Sequence, residues 1–274
     1  MSWRIINSGL ADGPTNMAID EAILLAHSAG KVPPTLRFYG WQPAAVSLGY
    51  FQRALSEIDV ESCKERKIDV VRRLTGGRAV LHDAELTYSI VVREDDALIP
   101  PTITASYRYF SQGLLAGLAA LGIQAHMTVP VAAYGQKKKQ PSSAACFDAP
   151  AQFEVTVQGR KLVGSAQVRK QGVILQHGSV LLRFCAEAFV ELLRLPSAER
   201  REQTVQMLKN RATSIEEVLG RPVTWQEVYH PMPEAFASAL GIQLIAAELT
   251  EEEQVVSKEL AWTKYSQDSW NMLR

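Results

Sequence analysis

The sequence has no excess of either charge: Lys plus Arg and Asp plus Glu number 29 each in 274 residues, for a net charge of zero. That balance argues against a nucleic-acid binder, which needs surplus cations to displace counterions from phosphates. No segment approaches the roughly 20 continuous apolar residues of a membrane span. Nothing in Met1 to Gly9 joins a basic stretch to an apolar run as a secretory signal does. Cysteine is scarce. Cys63, Cys146 and Cys185 are odd in number and widely spaced, which suits neither a disulfide framework nor a metal-ligand cluster. A reducing cytoplasm is the simplest expected compartment. There is no internal repeat and no low-complexity linker, and no dimerisation motif, so a monomer is expected.

What is present is ordinary globular material. Hydrophobic residues make up 47% and charged residues 21%, enough to bury a sizeable core in one large domain or two small ones. Asn16 to Ala26 reads as a helix, with Asp20 and Glu21 near its positive end. Pro33-Pro34 then starts an extended stretch over Thr35 to Tyr39, and Ala45 to Leu48 reads as a short strand. Asp69 to Arg73 leads into the turn Thr75-Gly76-Gly77. Leu86, Tyr88, Ile90 and Val92 share one face of a strand. Tyr107 to Leu121 is a helix closed by Gly122.

Phe153 to Val157 and Arg160 to Val163 flank Gln158-Gly159 as a hairpin. Ser165 to Arg169 and Val173 to His177 form a second hairpin turning near Gly172. Past about Phe184 helices take over, with capping-box patterns at Ser214/Glu217, Thr224/Glu227 and Thr250/Glu253. Strands and helices mixed without regular alternation favour α+β over a doubly wound parallel sheet.

Three stretches could carry chemistry. Arg72-Arg73-Leu74-Thr75-Gly76-Gly77-Arg78-Ala79-Val80-Leu81-His82-Asp83 puts paired glycines between strands, where backbone amides can face an anion or a carbonyl. It has neither the phosphate-loop lysine nor the dinucleotide fingerprint. Ser142 to Pro150 contains Cys146, which follows the triple lysine Lys137-Lys138-Lys139 and precedes a hairpin bearing Lys161. Nearby cations lower a thiol pKa and raise the nucleophilic thiolate fraction. Cys63 and Cys185 read as buried, inert thiols. In the third stretch Lys161 stands beside Gly164-Ser165-Ala166-Gln167, followed by Gln176-His177-Gly178. Here small residues would leave room for a ligand chain, while Lys161 by itself reads as a solvated strand lysine and His177 equally well as a satisfied structural histidine.

Together these stretches resemble the catalytic domain of the biotin and lipoate protein ligase superfamily, and within it most closely the LipM-type octanoyltransferases. The resemblance runs through Asn16-Met17-Ala18-Ile19-Asp20-Glu21, Arg37-Phe38-Tyr39-Gly40-Trp41, the Arg72 to Asp83 block, Cys146-Phe147-Asp148-Ala149-Pro150, Lys161, Gly164 to Gln167, Lys264-Tyr265 and Trp270-Asn271. It covers almost the whole chain in order. It implies mixed β-sheets flanked by helices in a single catalytic domain over 1–274, with its core at about 30–245 and a helical tail.

The resemblance also implies a reaction. Cys146 would take an octanoyl group from octanoyl-acyl carrier protein as a thioester. The group would then pass to a lysine amine of a lipoyl-carrier protein, such as the glycine-cleavage H protein or a lipoyl domain. Lys161 matches the family's active-site lysine, whose ammonium would depress the Cys146 pKa and accept or donate a proton. Arg73, Gly76, Gly77, His82, Gly164 and Ala166 match positions lining the acyl pocket and its backbone donors. No nucleotide or other cofactor is needed, because the donor thioester is already activated.

Three other readings stay open. An ATP-dependent lipoate ligase shares the glycine block and the lysine. However, such enzymes usually carry Asn-Asp where Cys146-Phe147-Asp148 stands, and a third glycine where Arg78 stands. An amidotransferase would move octanoyl or lipoyl groups between carrier proteins, also on a cysteine. A non-catalytic binder of lipoyl domains or fatty acids would need neither Cys146 nor Lys161. The Lys137 to Lys139 run reads as a surface loop able to attract an acidic carrier protein.

Overall fold

The architecture, from a computed structural model, is described for residues 2–128 and 154–273. Cys146, the rest of Ser142 to Pro150 and the Lys137 to Lys139 run lie outside the described residues. The chain opens with β1 (Ser2–Ala11) and α1 (Gly13–Ser28), then β2 (Thr35–Trp41), β3 (Ala45–Leu48), α2 (Ala54–Glu57), α3 (Val60–Glu65) and β4 (Asp69–Arg72). β5 (Val80–His82), β6 (Glu85–Arg93), α4 (Ile103–Ala120), β7 (His126–Thr128), β8 (Glu154–Val157), β9 (Arg160–Lys170) and β10 (Val173–Leu181) follow. Next come α5 (Ala186–Val190), α6 (Ala198–Arg211), α7 (Ile215–Leu219), α8 (Trp225–Tyr229), α9 (Met232–Leu240) and β11 (Gln243–Ala246). The chain closes with α10 (Glu251–Leu260), a π-helical turn over Ala261–Tyr265 and α11 (Asp268–Asn271).

Among the described residues an eight-stranded sheet runs in the order β11-β1-β2-β6-β10-β9-β8-β7, beside a three-stranded sheet β4-β3-β5. β1 lies parallel to β2 and β11, while β6, β8, β9 and β10 pair antiparallel with their neighbours. The α+β expectation holds. The sheet begins ahead of residue 30, because β1 buries Trp3 and Ile6 in the interior. β1 shows no clean alternation in sequence because its register with β2 shifts between Asn7 and Leu10, where Gly9 takes φ +66°.

Both hairpins turn as their sequences suggest. Gln158-Gly159 and Gln171-Gly172 each place two consecutive residues at positive φ, the two-residue turn whose twist suits antiparallel strands. Arg160 to Val163 and Ser165 to Arg169, read separately from the sequence, are one continuous strand, β9. Leu86, Tyr88, Ile90 and Val92 pack with Phe38, Phe110, Leu114 and Phe236 in the main apolar cluster. Gly113 and Gly117 let α4 meet α9 closely: a Cβ at Gly113 would sit 2.3 Å from the Phe236 ring. Side chains of this size contribute about 2 kcal/mol each when fully buried.

Helix ends correct two expectations. α1 is capped by Asp12, whose side chain accepts from the Thr15 amide at 2.7 Å. Asp20 and Glu21 therefore lie beyond its first turn, buried and ion-paired rather than placed against the helix dipole. Ser214, Thr224 and Thr250 all cap their helices, but only Thr250 and Glu253 complete the reciprocal box. Glu217 turns instead to Arg160, and Glu227 to Arg221.

Candidate active site

One face of the large sheet is polar and buried. Strand register stacks Arg37, Ser89, His177 and Ala166 in one rung and Tyr39, Thr87, Ser179 and Gly164 in the next. These residues alternate with the apolar set that fills the main core, as the two-residue period of a strand requires. Between this face and the small sheet lies a cavity of about 350 Å³, lined also by Met17, Trp41, Ser47, Arg73, Gly77, Arg78, Val80, His82 and Lys161. Small residues on β9 and β10 leave that space open. On the opposite face Gly178 pairs with Tyr88 and Ser165, and a Cβ there would strike Ser165 Oγ at 2.5 Å and the Tyr88 ring at 2.7 Å.

Lys161 reaches the cavity because β9 carries a bulge. Thr156 pairs with Lys161 while Val155 pairs with Val163, so Leu162 is the extra residue. In a regular strand Lys161 would share the face of Val163, which belongs to the main core. The bulge shifts it to the face of Gly164 and Ala166. There it is 4% exposed, with Nζ 3.1 Å from Glu154 Oε1.

Arg73 builds the glycine turn. Its Nε donates to Thr75 Oγ1 (3.1 Å), Nη1 to the carbonyl and hydroxyl of Ser47 (2.8 and 3.0 Å), and Nη2 to the carbonyls of Gly76 and Arg78 (2.9 and 2.7 Å). Five donors are available to a guanidinium, and all five are engaged. Arg73 thus shapes the Gly76 to Arg78 turn from within. Gly77 in that turn takes φ +100° and is exposed, and Gly76 sits beside it without lining the cavity.

Two histidines in the cavity wall are held at both ring nitrogens. His177 Nδ1 faces Asp20 Oδ2 at 3.3 Å, and Nε2 lies 2.7 Å from Thr75 Oγ1. Burial pushes the His177 imidazole below its ordinary value, against the upward pull of Asp20. The neutral ring therefore carries its proton on Nδ1 and accepts from the Thr75 hydroxyl at Nε2. For Asp20, burial alone would raise the pKa, but Arg37, His177 and Ser89 together hold it below the usual carboxylate range. His82 Nδ1 donates to Glu85 Oε1 at 2.7 Å, its Nε2 lies 2.7 Å from Ser47 Oγ, and its ring stacks on Trp41 at 4.0 Å. The polar wall thus spends its hydrogen bonds on itself, and Met17, Tyr39, Trp41 and Val80 add apolar surface to the lining, a combination suited to an apolar chain.

The two described cysteines lie elsewhere. Cys63 is buried in α3 beside apolar residues, its thiol pushed up to about 11 by burial and Asp59. Cys185 departs from the buried expectation: it is exposed at the start of α5, with Sγ 3.8 Å from Glu187. Neither lines the cavity. Among the described residues no group of three or more His, Cys, Asp or Glu could hold a metal, and no helix is long and apolar enough to cross a membrane.

Residues 12–237 match the lipoyl protein ligase A/B catalytic domain. The chain belongs to this family. Among its relatives, the octanoyltransferase LipM of Kyrpidia tusciae is 48% identical, with 98% of each chain covered. The octanoyltransferase LipM of Bacillus subtilis is 45% identical over 100% of this chain and 99% of its own. Of solved structures, a bipartite lipoate protein ligase from Thermoplasma acidophilum superposes with a TM-score of 0.82 at 27% identity, covering 99% of this chain and 96% of the other. A lipoate-protein ligase A bound with ATP gives 0.78 at 28% identity, covering 99% of both chains.

Of the site residues named from the sequence of this family member, Arg73, Gly77, His82, Lys161, Gly164 and Ala166 meet at the cavity. Ser47, Thr87, Ser179, Tyr39 and Trp41 line it too, yet no role was assigned to them from sequence. The available signal was the polar set Glu85, Thr87 and Ser89 alternating with the apolar face of β6.

Proposed function

We propose that this protein carries an octanoyl group on Cys146 as a thioester and passes it to a lysine of a lipoyl-carrier protein in lipoate biosynthesis. Octanoyl transfer is the activity by which its full-length relatives are named. The donor in this reading is octanoyl-acyl carrier protein, and the acceptor is the glycine-cleavage H protein or a lipoyl domain. The cytoplasm, where such carriers are made, is the setting.

The observation that carries the reading is Lys161, shifted by a strand bulge into a cavity lined also by Tyr39, Trp41 and the small residues Gly164 and Ala166. A buried ammonium there stabilises the thiolate of a nearby cysteine and the oxyanion of a tetrahedral intermediate. Preorganised donors of this kind are worth about 3 kcal/mol of barrier each. With both histidines committed to Asp20, Thr75, Glu85 and Ser47, proton transfer falls to Lys161 or to the departing thiolate. Cys63 and Cys185 lie away from the cavity, which leaves Cys146 as the candidate nucleophile. Each methylene of the chain adds about 0.8 kcal/mol on burial. Arg78 lines the cavity where ligases commonly carry a third glycine, which speaks against close approach of an adenylate.

The test is intact mass after mixing with octanoyl-acyl carrier protein without ATP, beside Cys146→Ala. A single adduct cleaved by neutral hydroxylamine, absent from the variant and lost on adding apo H protein, supports the thioester route. No adduct, with modification of the acceptor by octanoate plus ATP, replaces it with a ligase.

A further inference from the structure

Glu85 is 2% exposed and does not itself line the cavity, yet it holds three groups that do, and a fourth through one of them. Its Oε1 accepts from His82 Nδ1 at 2.7 Å and from the Thr87 hydroxyl, and its Oε2 accepts a short hydrogen bond from the Ser179 hydroxyl. Thr87 Oγ1 in turn accepts from Trp41 Nε1 at 2.7 Å. His82 belongs to the small sheet, while Thr87, Ser179 and Trp41 belong to three strands of the large one. One carboxylate therefore clasps the two sheets on either side of the cavity.

We propose that Glu85 is a positioning residue that sets the width of the acyl cavity and, through it, the preferred acyl chain length. The inference rests on the acyl-transfer reading. A carboxylate suits the task because its two oxygens accept several donors at once, whereas an amide supplies one accepting oxygen and two N–H groups. In Glu85→Gln the amide oxygen can keep the His82 and Thr87 donors, so the nitrogen faces the Ser179 hydroxyl, which can no longer donate there and has to turn. Ser179, which lines the cavity, then loses its fixed partner, and the clasp on that wall loosens.

The test compares kcat/KM for hexanoyl, octanoyl and decanoyl carrier-protein donors, with wild type and Glu85→Gln side by side and folding checked by thermal unfolding. One methylene in a fitted apolar pocket is worth at least about tenfold in discrimination. The variant should lose about that factor from the preference for its best donor over its neighbours. An equal proportional loss for all three donors, or an unchanged profile, overturns the proposal. If Glu85→Gln fails to fold, Thr87→Val, which cuts the links of Thr87 to Glu85 and to Trp41 but leaves His82 and Ser179 on the carboxylate, should flatten the same profile, and an unchanged profile there overturns it. A wild-type chain inactive with all three donors sinks the acyl-transfer reading, and this inference with it.

Discussion

Arg72 gives its backbone N–H to the Asn271 side chain and its guanidinium to the Asn271 carbonyl, each at 2.9 Å, across 199 residues of sequence. The same guanidinium donates to the carbonyls of Gly49, Tyr50 and Gln52, so the end of the chain is wired to the loop beside the glycine turn. Asn271 also donates to the Tyr265 carbonyl, and Tyr265 and Lys264 both hold Glu21 of α1.

Asn271→Ala should therefore leave a buried N–H and a buried carbonyl without partners, at about 1–3 kcal/mol. Urea unfolding should show a lower midpoint with an unchanged slope. Because Arg72 also anchors the Gly49 to Gln52 loop, acyl-transfer activity should fall as well. A neutral substitution would mean that the tail merely rests on the core.

Arg4 and Glu253 pair in the interior, 5% and 1% exposed, and Glu253 also accepts from the Thr250 amide at 2.8 Å. Burial alone would raise the Glu253 pKa, but Arg4 and Thr250 together bring it below its ordinary 4.5. A carboxylate with a depressed folded pKa contributes stability that is complete above 4.5 and is lost as pH falls through the lower folded value. Glu253→Gln should cost about 3 kcal/mol at neutral pH, because it strands the buried Arg4 charge. Its stability should also fall less steeply in acid than that of wild type. Denaturant midpoints at neutral and acid pH measure both effects.

Much of the fold was legible because apolar alternation, paired turn residues and caps all act locally. The apolar face of β6, both hairpins and the Gly122 cap follow from neighbours within a few residues. The site was legible where glycines or a lone lysine marked it, and at Arg73, His82 and Ala166 through the family resemblance. A polar strand face looks the same whether it meets water or a cavity, so the alternation of Glu85, Thr87 and Ser89 marks a polar face without saying what it meets. The bulge that turns Lys161 inward depends on β8 pairing and has no local mark. Asp20 and Glu21 look like first-turn acids until Arg37 and Lys264, distant in sequence, arrive beside them.

His177 should titrate below its ordinary 6.5, since burial outweighs the pull of Asp20. Its neutral form contributes stability that is complete above 6.5 and declines as pH falls toward the lower folded value. Following its imidazole C2 proton by NMR gives the midpoint directly. Asp20→Asn, which removes the upward pull, should lower the midpoint further. A midpoint at or above 6.5 in the wild type would contradict the neutral, wall-forming role.

Gly49 is the tightest approach in the site: a Cβ there would lie 2.0 Å from the Gly77 carbonyl oxygen and 2.7 Å from its carbon. The obstacle is backbone, so no side chain can swing away. Gly77 cannot yield easily either, because the Arg73 guanidinium holds the carbonyls on both sides of it. Gly49→Ala should push the Gly76 to Arg78 turn out of place and cost about 1–3 kcal/mol of overpacking strain. Its kinetic signature should be a drop in kcat/KM for acyl transfer larger than the stability loss explains, measured well below the variant's melting temperature. Full activity in a folded Gly49→Ala protein would show that the position of this turn does not matter to the reaction.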